Sequence, residues 1–237
     1  MSIQLKGKVA LITGGSKGIG YGIAESMLNE GMYVAITGRS ESVLASADSL
    51  AKIGSGKVVG FISDVTKLED QIKVVDLVIK EWGRLDVVIA NAGIGHFSPI
   101  QDLTPEQWHE TIDINLTGVF NTVKSVIEPL KKSNGYIFTI ASLAGTNFFA
   151  QGSAYNASKF GLVGFTQAIM LDLRKFGIRV STIMPGSVTS YFNDHVPNDS
   201  DAWKIQPEDI GQLIVDLLKL HPRTLPSKIE IRPSMPQ

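Results

Sequence analysis

The sequence TGGSKGIG occupies residues 13–20, between a short apolar run and an amphipathic stretch of the 237-residue chain. Gly14, Gly18 and Gly20 give it a G-x-x-x-G-x-G spacing at the point where a candidate strand passes into a candidate helix. Glycines there let the backbone approach a pyrophosphate closely, and the free N–H groups at the start of the helix bind its negative charge. The stretch therefore predicts a dinucleotide-binding loop, with an ordinary glycine-rich strand–helix turn as the alternative.

Short apolar runs alternate with amphipathic stretches on both sides of this loop. The predicted strands are Val9–Ile12, Val34–Thr37, Val58–Ile62, Val87–Ala90, Ile137–Ile140, Val180–Met184 and a weaker Ile229–Ile231. The predicted helices are Ile19–Glu30, Ser42–Lys52, Leu68–Trp82, Pro105–Lys131, Ala154–Phe176 and Pro207–Leu220. Near-continuous apolar strands that alternate with helices form parallel sheets covered on both faces. The sequence therefore predicts an α/β fold, a doubly wound (Rossmann) three-layer sandwich with a parallel sheet of about seven strands.

Composition excludes several classes of protein. With 22 Lys and Arg against 23 Asp and Glu, the net charge is −1, so we expect neither a nucleic acid nor a membrane as partner. The chain has no cysteine, and its four histidines lack metal-ligand spacing, so we expect no disulfide and no metal site. No apolar run has the length of a signal peptide or a membrane span, which favours a cytoplasmic location.

The end of the second predicted strand carries a basic residue where an acidic one would favour NAD. Between Gly31 and Ser40 there is no Asp or Glu, and Arg39 is the charged residue at the strand end. Lys17 lies in the glycine loop that faces it. An acidic residue there hydrogen-bonds the ribose 2′-hydroxyl of NAD, whereas cations bind the 2′-phosphate of NADP. We therefore expect NADPH/NADP as cofactor; a solvated Arg39, or an Arg39 stacked on the adenine, is the alternative.

Three further residues form a candidate catalytic group. Ser142 follows the fifth predicted strand, at the edge of the sheet where ligands bind in open α/β folds. Tyr155 and Lys159 are four residues apart on a predicted helix and therefore share one face, although an ordinary amphipathic helix face would give the same spacing. A free tyrosine has a pKa of about 10, and a neighbouring ammonium is expected to lower it. Ser142 would then hold a substrate carbonyl while Tyr155 protonates its oxygen.

In these features the sequence resembles the short-chain dehydrogenases/reductases of the short, single-domain type. The matching motifs are TGGSKGIG at 13–20, Asp64-Val65, Asn91-Ala92-Gly93, Asn115-Leu116-Thr117-Gly118, Ser142, Tyr155-Asn156-Ala157-Ser158-Lys159, and Pro185-Gly186 followed by Thr189. They follow one another at the family's spacing over about residues 5–220. The resemblance implies one dinucleotide-binding oxidoreductase domain over residues 1–237, acting on CH–OH or C=O groups.

The resemblance also implies roles for individual residues. Asp64 and Val65 would contact the adenine, and Lys159 would also bind the nicotinamide ribose. Asn115 would bend its helix and hold a water that links Lys159 to solvent. The expected catalytic residues are Asn115, Ser142, Tyr155 and Lys159. The expected cofactor-binding residues are Gly14, Ser16, Lys17, Gly18, Ile19, Gly20, Arg39, Asp64, Val65, Asn91, Ala92, Gly93, Tyr155, Lys159, Pro185, Gly186, Val188 and Thr189.

Substrate specificity should come from the loops at the strand ends. The candidate segments are Gly95–Phe97, Leu143–Gln151 and a substrate-loop insertion around residues 187–206, which has the composition of a mobile lid. Their aromatic residues, and the absence of Lys and Arg between Ser142 and Asn156, favour a small apolar or aromatic carbonyl compound. The same aromatics could instead fill the core or contact another subunit.

Two alternative functions stay open at this point. A 3-oxoacyl-[acyl-carrier-protein] reductase would use basic residues such as Lys131, Lys132, Arg174 and Lys175 to bind an acidic carrier protein. A non-catalytic NADP-binding regulator would not need Tyr155 and Lys159. Many members of the family end in a glycine-rich strand that packs in a tetramer interface, whereas this chain ends differently and carries a predicted strand at Lys228–Arg232. The resemblance nevertheless implies a homodimer or homotetramer.

Overall fold

The computed structural model describes residues 3–235 of the chain, apart from the side chain of Asp194. Seven strands form one sheet in which every pair of neighbours is parallel. Their bounds are β1 Val9–Thr13, β2 Tyr33–Gly38, β3 Lys57–Ile62, β4 Val87–Ala90, β5 Tyr136–Ile140, β6 Arg179–Pro185 and β7 Lys228–Ile231. All seven predicted strands are confirmed, including the weak one near the C-terminus. The order β3-β2-β1-β4-β5-β6-β7 reverses between β1 and β4, which places the ligand crevice of such folds at their carboxyl ends.

Helices cover both faces of the sheet, which confirms the doubly wound three-layer architecture. Their bounds are α1 Gly18–Asn29, α2 Ser42–Leu50, α3 Leu68–Trp82, α4 Pro105–Ile112, α5 Gly118–Ser133, α6 Ser153–Leu173 and α7 Pro207–Lys219. The apolar sides of α1, α2 and α7 pack on one face, and those of α3, α5 and α6 pack on the other. Within β1, Ala10 and Ile12 belong to the first core while Val9 and Leu11 belong to the second. Alternate side chains thus enter opposite cores, which explains why this strand is apolar throughout.

One predicted helix is helical along its whole length but not regular. The stretch predicted as a continuous helix over Pro105–Lys131 is divided by a wide π-helical turn at Asp113–Thr117, which separates α4 from α5. The buried side chain of Asn115 lies in this turn and hydrogen-bonds both backbone groups of Ile94. This contact with a distant loop occurs at the wide turn, and a single π-turn of this kind often marks a functional site.

Within residues 3–235, no helix is both long and apolar enough to cross a lipid bilayer. Across the same residues, no cluster of three or more His, Asp or Glu side chains has a geometry suited to a metal ion.

Candidate active site

A cleft of about 1110 Å³ opens along the carboxyl ends of the strands. The glycine loop and Arg39 line one end, and Ser142, Tyr155 and Lys159 line the other. Both groups of residues were expected at this edge because each follows a parallel strand or lies on the helix beside it. The cleft is large enough for a dinucleotide together with a small substrate, since ligand pockets usually measure about 300–1,000 Å³.

The glycine loop has the backbone conformation that phosphate binding requires. Gly14 and Gly18 have φ values of 66° and 59°, a region that favours glycine. A Cβ on Gly14 would lie 2.9 Å from the Cα of Ala92, so the absence of a side chain lets the two loops touch. Helix α1 begins directly after Lys17, which makes no side-chain cap, and its first residues Gly18 and Ile19 line the cleft. The uncapped N–H groups of this helix are therefore available to an anion.

Asn91 and Thr13 fix this loop from the side of β4. Asn91 Nδ2 donates to the carbonyl oxygens of Thr13 at 2.9 Å and Gly14 at 3.0 Å. Thr13 Oγ1 accepts hydrogen bonds from the backbone N–H groups of Asn91 at 3.0 Å and Ala92 at 3.1 Å. The hydrogen bonds of Asn91 thus stabilise the loop geometry across the β1–β4 switch point.

The end of the cleft at Arg39, which lies away from Tyr155, carries cations and hydroxyl groups. Lys17, Arg39, Ser16, Ser40 and Ser42 line it, and the Ser40 and Ser42 hydroxyls are 2.8 Å apart. Thr37 also lines it, and its buried hydroxyl oxygen has no hydrogen-bond partner among the described residues. This donor set suits a phosphorylated ribose, and the narrow glycine turn suits the adjoining pyrophosphate. The residues present therefore fit a nicotinamide dinucleotide.

Three residues predicted to bind the cofactor lie outside the lining of the cleft. A Cβ on Gly20 would overlap the carbonyl oxygen of Gly14, so this glycine allows α1 to pack against the loop. The carboxylate of Asp64 accepts from the backbone N–H and the hydroxyl of Thr66, at 3.0 and 2.9 Å. The hydroxyl of Thr189 donates to the carbonyl oxygen of Asp201 at 3.2 Å. All the other predicted cofactor-binding residues line the cleft.

A short turn after β5 positions Ser142. Its Oγ accepts from the backbone N–H of Ala144 at 3.1 Å and caps the 3₁₀ turn Leu143–Gly145. Asn156 on α6 ties this turn down, because its Nδ2 donates to the carbonyl oxygens of Ala144 and Asn147, each at 2.8 Å. Since Asn156 follows Tyr155 directly, the same turn of α6 sets the positions of both hydroxyl groups.

Burial sets the acidity of the two helix residues. It raises the pKa of Tyr155 to about 12, against a hydrogen bond with Ser142 that acts in the opposite direction. Burial also lowers the pKa of Lys159 to about 8. The expectation that Lys159 lowers the pKa of Tyr155 is therefore wrong for this structure. The reason is geometric, because the Lys159 ammonium donates to the carbonyl oxygen of Ile140 at 3.0 Å and not to the phenol.

Asn115 lies behind this pair and does not line the cleft. Its Oδ1 accepts from Ile94 N at 2.9 Å, and its Nδ2 donates to Ile94 O at 2.9 Å and to Ser158 Oγ at 3.0 Å. A Cβ on Gly93 would lie 3.3 Å from Asn115 Oδ1 and 3.7 Å from Lys159 Nζ. Gly93 therefore leaves a small space between Asn115 and Lys159, where the resemblance implied a water.

Three phenylalanines surround the Tyr155 end of the cleft. The ring centroid of Phe97 is 5.3 Å from that of Tyr155, 5.8 Å from that of Phe149 and 6.1 Å from that of Phe192. Phe192 is in turn 5.5 Å from Tyr155. Gly95 makes room for this ring, since a Cβ there would lie 2.6 Å from Phe192 Cζ. The surroundings of the Tyr155 ring are thus aromatic, as the loop composition predicted.

The segment around residues 187–206 is a loop closed by its own contacts. At its base, Thr189 N donates to Ile205 O at 2.9 Å and Ile205 N donates to Ser187 O at 3.1 Å. The buried Asp201 carboxylate lies 2.5 Å from both Lys204 Nζ and His195 Nε2. Hydrogen bonds from Lys204 and His195 lower the pKa of Asp201 to about 2. One buried carboxylate therefore holds together the part of the loop that faces the cleft.

Sequence reasoning missed several lining residues: Thr37, Ser40, Ser42, Ser63 and Glu110. Ser40 directly follows Arg39, so its place at the strand end could have been recognised. Glu110 comes from α4, and no motif predicts that this helix reaches the cleft.

Comparisons with known proteins show which sequences and folds are similar to this chain. The family model for short chain dehydrogenase matches residues 8–201. An uncharacterized oxidoreductase from Staphylococcus saprophyticus is 33% identical over an alignment that covers 98% of this chain and 99% of that one. A D-beta-hydroxybutyrate dehydrogenase from Cupriavidus necator is 36% identical over 190 residues, covering 78% of this chain and 72% of the other. Among solved structures, an alcohol dehydrogenase from Thermococcus sibiricus complexed with 5-hydroxy-NADP has a TM-score of 0.90 and 29% identity, covering 97% of this chain and 99% of that one.

Proposed function

The chain belongs to the short-chain dehydrogenase/reductase family of oxidoreductases acting on CH–OH and C=O groups, and we propose that it reduces small apolar or aromatic ketones and aldehydes with NADPH. The observation that carries this proposal is that Ser142, Tyr155 and Lys159 together line a cleft that continues to the glycine loop. The reaction is reversible, so the same residues would serve alcohol oxidation.

When bound, the cofactor supplies the hydride. Ser142 holds the carbonyl oxygen, and Tyr155 donates its proton to that oxygen as negative charge develops there. A pKa of about 12 keeps Tyr155 protonated at neutral pH, yet it is still a stronger acid than an alcohol, whose pKa is close to the 15.7 of water. The proton transfer from Tyr155 to the developing alkoxide is therefore downhill.

The preference for NADPH rests on the cations at the far end of the cleft. Lys17 and Arg39 line it together with three serine hydroxyls, and no acidic residue occurs from Gly31 to Ser40. The Thermococcus sibiricus neighbour, at 29% identity, is described in complex with an NADP derivative. Both observations support a 2′-phosphate at Arg39.

The preference for apolar substrates rests on the aromatic rings around Tyr155. Phe97 and Phe192 contact its ring, and the nearby Lys204 is already paired with the buried Asp201. A carboxylated substrate would need a free cation to replace its hydration, whereas an aryl or alkyl ketone needs only apolar contact.

The position of the basic residues favours this function over an acyl-carrier-protein reductase. Lys131 and Lys132 end helix α5 just before β5, and Arg174 and Lys175 lie just before β6. Residues that precede parallel strands lie at the amino edge of the sheet, opposite the cleft. An acidic carrier protein bound there could not deliver its acyl group to Tyr155.

The test is a substrate panel followed by loss of the reduced nicotinamide absorbance. We expect acetophenone to be reduced faster than acetoacetate, with NADPH better than NADH, and Tyr155→Phe provides the inactive control. Preference for acetoacetate would favour the chemistry of the Cupriavidus necator relative, and preference for an acetoacetyl thioester would favour the carrier-protein reductase. Failure to turn over any compound would favour a non-catalytic regulator.

We also propose that the chain forms a homodimer or homotetramer through α6. Its exposed side carries a stripe of small and apolar residues without charge: Ala157, Phe160, Gly164, Ala168 and Leu171. Phe120 of α5 is exposed beside it and contacts Phe165. Light scattering should give a mass of two or four chains, and Leu171→Glu should shift it toward one. A monomeric wild type would contradict this.

A further inference from the structure

A carboxylate from helix α4 reaches across the cleft to the cofactor-selecting arginine. Glu110 Oε1 lies 3.5 Å from Arg39 Nη1, and its Oε2 lies 2.9 Å from His96 Nε2. All three side chains line the cleft, yet Arg39 follows β2, His96 follows β4 and Glu110 is in the last turn of α4. The contact between Arg39 and Glu110 thus joins two walls of the cleft, at the end that carries Lys17 and the serine hydroxyls.

The start of helix α4 fixes the position of Glu110. Helix α4 begins with a capping box, in which Thr104 Oγ1 accepts from Gln107 N at 3.2 Å and Gln107 Oε1 accepts from Thr104 N at 3.1 Å. Pro105 follows at the first helical position, where its fixed φ suits the helix. Both features hold the start of this eight-residue helix, so the position of Glu110 is set about one and a half turns along a defined axis.

We propose that Glu110 tunes the choice between NADP and NAD by competing with the 2′-phosphate for Arg39. A phosphate brings about −1.5 to −2 charges to the groove. It must displace or share the guanidinium that Glu110 holds, and it meets the repulsion of the carboxylate itself. A 2′-hydroxyl is uncharged and meets neither effect. Glu110 therefore weakens NADP binding selectively and keeps the preference for NADPH moderate. This inference rests on the proposed role of Arg39 as the phosphate ligand.

Glu110 is suited to this role because it is ionised at neutral pH. The hydrogen bond from His96, followed by the nearby Arg39, holds the pKa of the Glu110 carboxyl below its usual value. Arg39 is itself about half exposed, with 56% of its side chain accessible, so it can turn from the carboxylate toward a ligand. Helix α4 also offers a matched control, since Glu106 lies one turn earlier and does not line the cleft.

The test measures binding of two probes, 2′,5′-ADP and 5′-AMP, which differ only in the 2′-phosphate. Isothermal titration calorimetry on the intact protein compares wild type, Glu110→Gln, Glu110→Lys and the control Glu106→Gln. We expect Glu110→Gln to tighten 2′,5′-ADP by about two- to fivefold, the effect of one exposed ion pair, and to leave 5′-AMP unchanged. Glu110→Lys should tighten the binding of 2′,5′-ADP more than Glu110→Gln does. Glu106→Gln should leave the affinity for both ligands unchanged.

The outcomes separate this inference from the proposed function. The inference is overturned if the ratio of the two dissociation constants is unchanged in both Glu110 variants. If both constants change by the same factor, Glu110 acts on the part that the two ligands share, such as the adenine. If wild type binds both probes equally, the proposed NADPH preference fails. In that case a preference for 2′,5′-ADP that emerges in Glu110→Gln still supports the role of Glu110.

Discussion

The Lys159 ammonium lies 5.6 Å from the centre of the Tyr155 ring and is hydrogen-bonded to the carbonyl oxygen of Ile140. Both residues are on one face of α6, a single turn apart. Burial moves their two pKa values apart, raising that of Tyr155 to about 12 and lowering that of Lys159 to about 8. At neutral pH both groups keep their protons, which is the state that ketone reduction needs.

The first prediction concerns the stability cost of the buried ammonium. Because the folded-state pKa of Lys159 is about 8 and the unfolded one about 10.5, the unfolded chain binds more protons between these values. The free energy of unfolding should therefore rise from about pH 8 to about pH 10, by on the order of 1–3 kcal/mol, as the lysine becomes neutral in the folded state. Urea unfolding at several pH values measures this rise.

Lys159→Met should abolish the rise, while a control, Lys124→Met at an exposed position of α5, should retain it. Above about pH 10, the raised pKa of Tyr155 acts in the opposite direction, because the unfolded tyrosine then loses its proton first. An equal rise in wild type and Lys159→Met would show that Lys159 is not the group responsible.

The second prediction concerns the proton donor. Tyr155→Phe removes the hydroxyl but keeps the ring and its contacts with Phe97 and Phe192. Turnover should fall by about 10²–10⁴-fold, the usual contribution of a general acid. Cofactor binding, measured separately by calorimetry, should stay within about threefold of the wild-type value. A variant that keeps more than about a third of wild-type turnover would disprove the role of Tyr155.

Most of the fold could be predicted because its strands are apolar runs bounded by polar residues. The interruption between α4 and α5 could not. Hydrophobic periodicity does not reveal a single widened turn. Here that turn coincides with hydrogen bonds from Asn115 to Ile94 and Ser158, which are 21 and 43 residues away in the chain. Tertiary contacts of this kind override local pattern.

The candidate site, like the fold, could be predicted from the sequence only in part. Strand ends and the four-residue spacing were enough to place Ser142, Tyr155 and Lys159 near one another. Their pKa values were not accessible, because these depend on how completely α6 is covered and on which carbonyl the lysine reaches. The approach of Glu110 to Arg39 depends on how α4 is positioned relative to β2, which no local motif encodes.

The third prediction concerns cofactor choice. The double variant Gly38→Asp with Arg39→Leu places an acid at the end of β2 and removes the cation, so it should lose NADPH by repulsion and gain NADH through the 2′-hydroxyl. One charged hydrogen bond contributes about 1.5–3 kcal/mol, so a change in relative kcat/KM of about 10–100-fold is expected. Equal kcat/KM values for NADH and NADPH in the wild type would instead indicate that Arg39 stacks on the adenine.

The fourth prediction concerns the aromatic wall opposite the catalytic hydroxyl. Phe192 lies 5.5 Å from Tyr155 and 6.1 Å from Phe97, and Gly95 leaves the space for its ring. Burying a phenylalanine side chain contributes about 1.5–3 kcal/mol, so Phe192→Ala should raise the KM for acetophenone by roughly tenfold or more and change kcat less. The KM for acetone should change less, since acetone has less apolar surface to place against this ring.

Two further variants decide whether contact with Phe192 is the cause. Gly95→Ala should have the same effect on acetophenone, because the added methyl group would collide with the ring and displace it. Phe148→Ala is the control, because that side chain is 86% exposed and does not line the cleft. If Phe192→Ala raised the KM for acetone and acetophenone equally, the ring would act on the shape of the whole loop. The change in KM would then come from an altered loop conformation, which the contacts of Asp201 stabilise, and not from lost contact with the substrate.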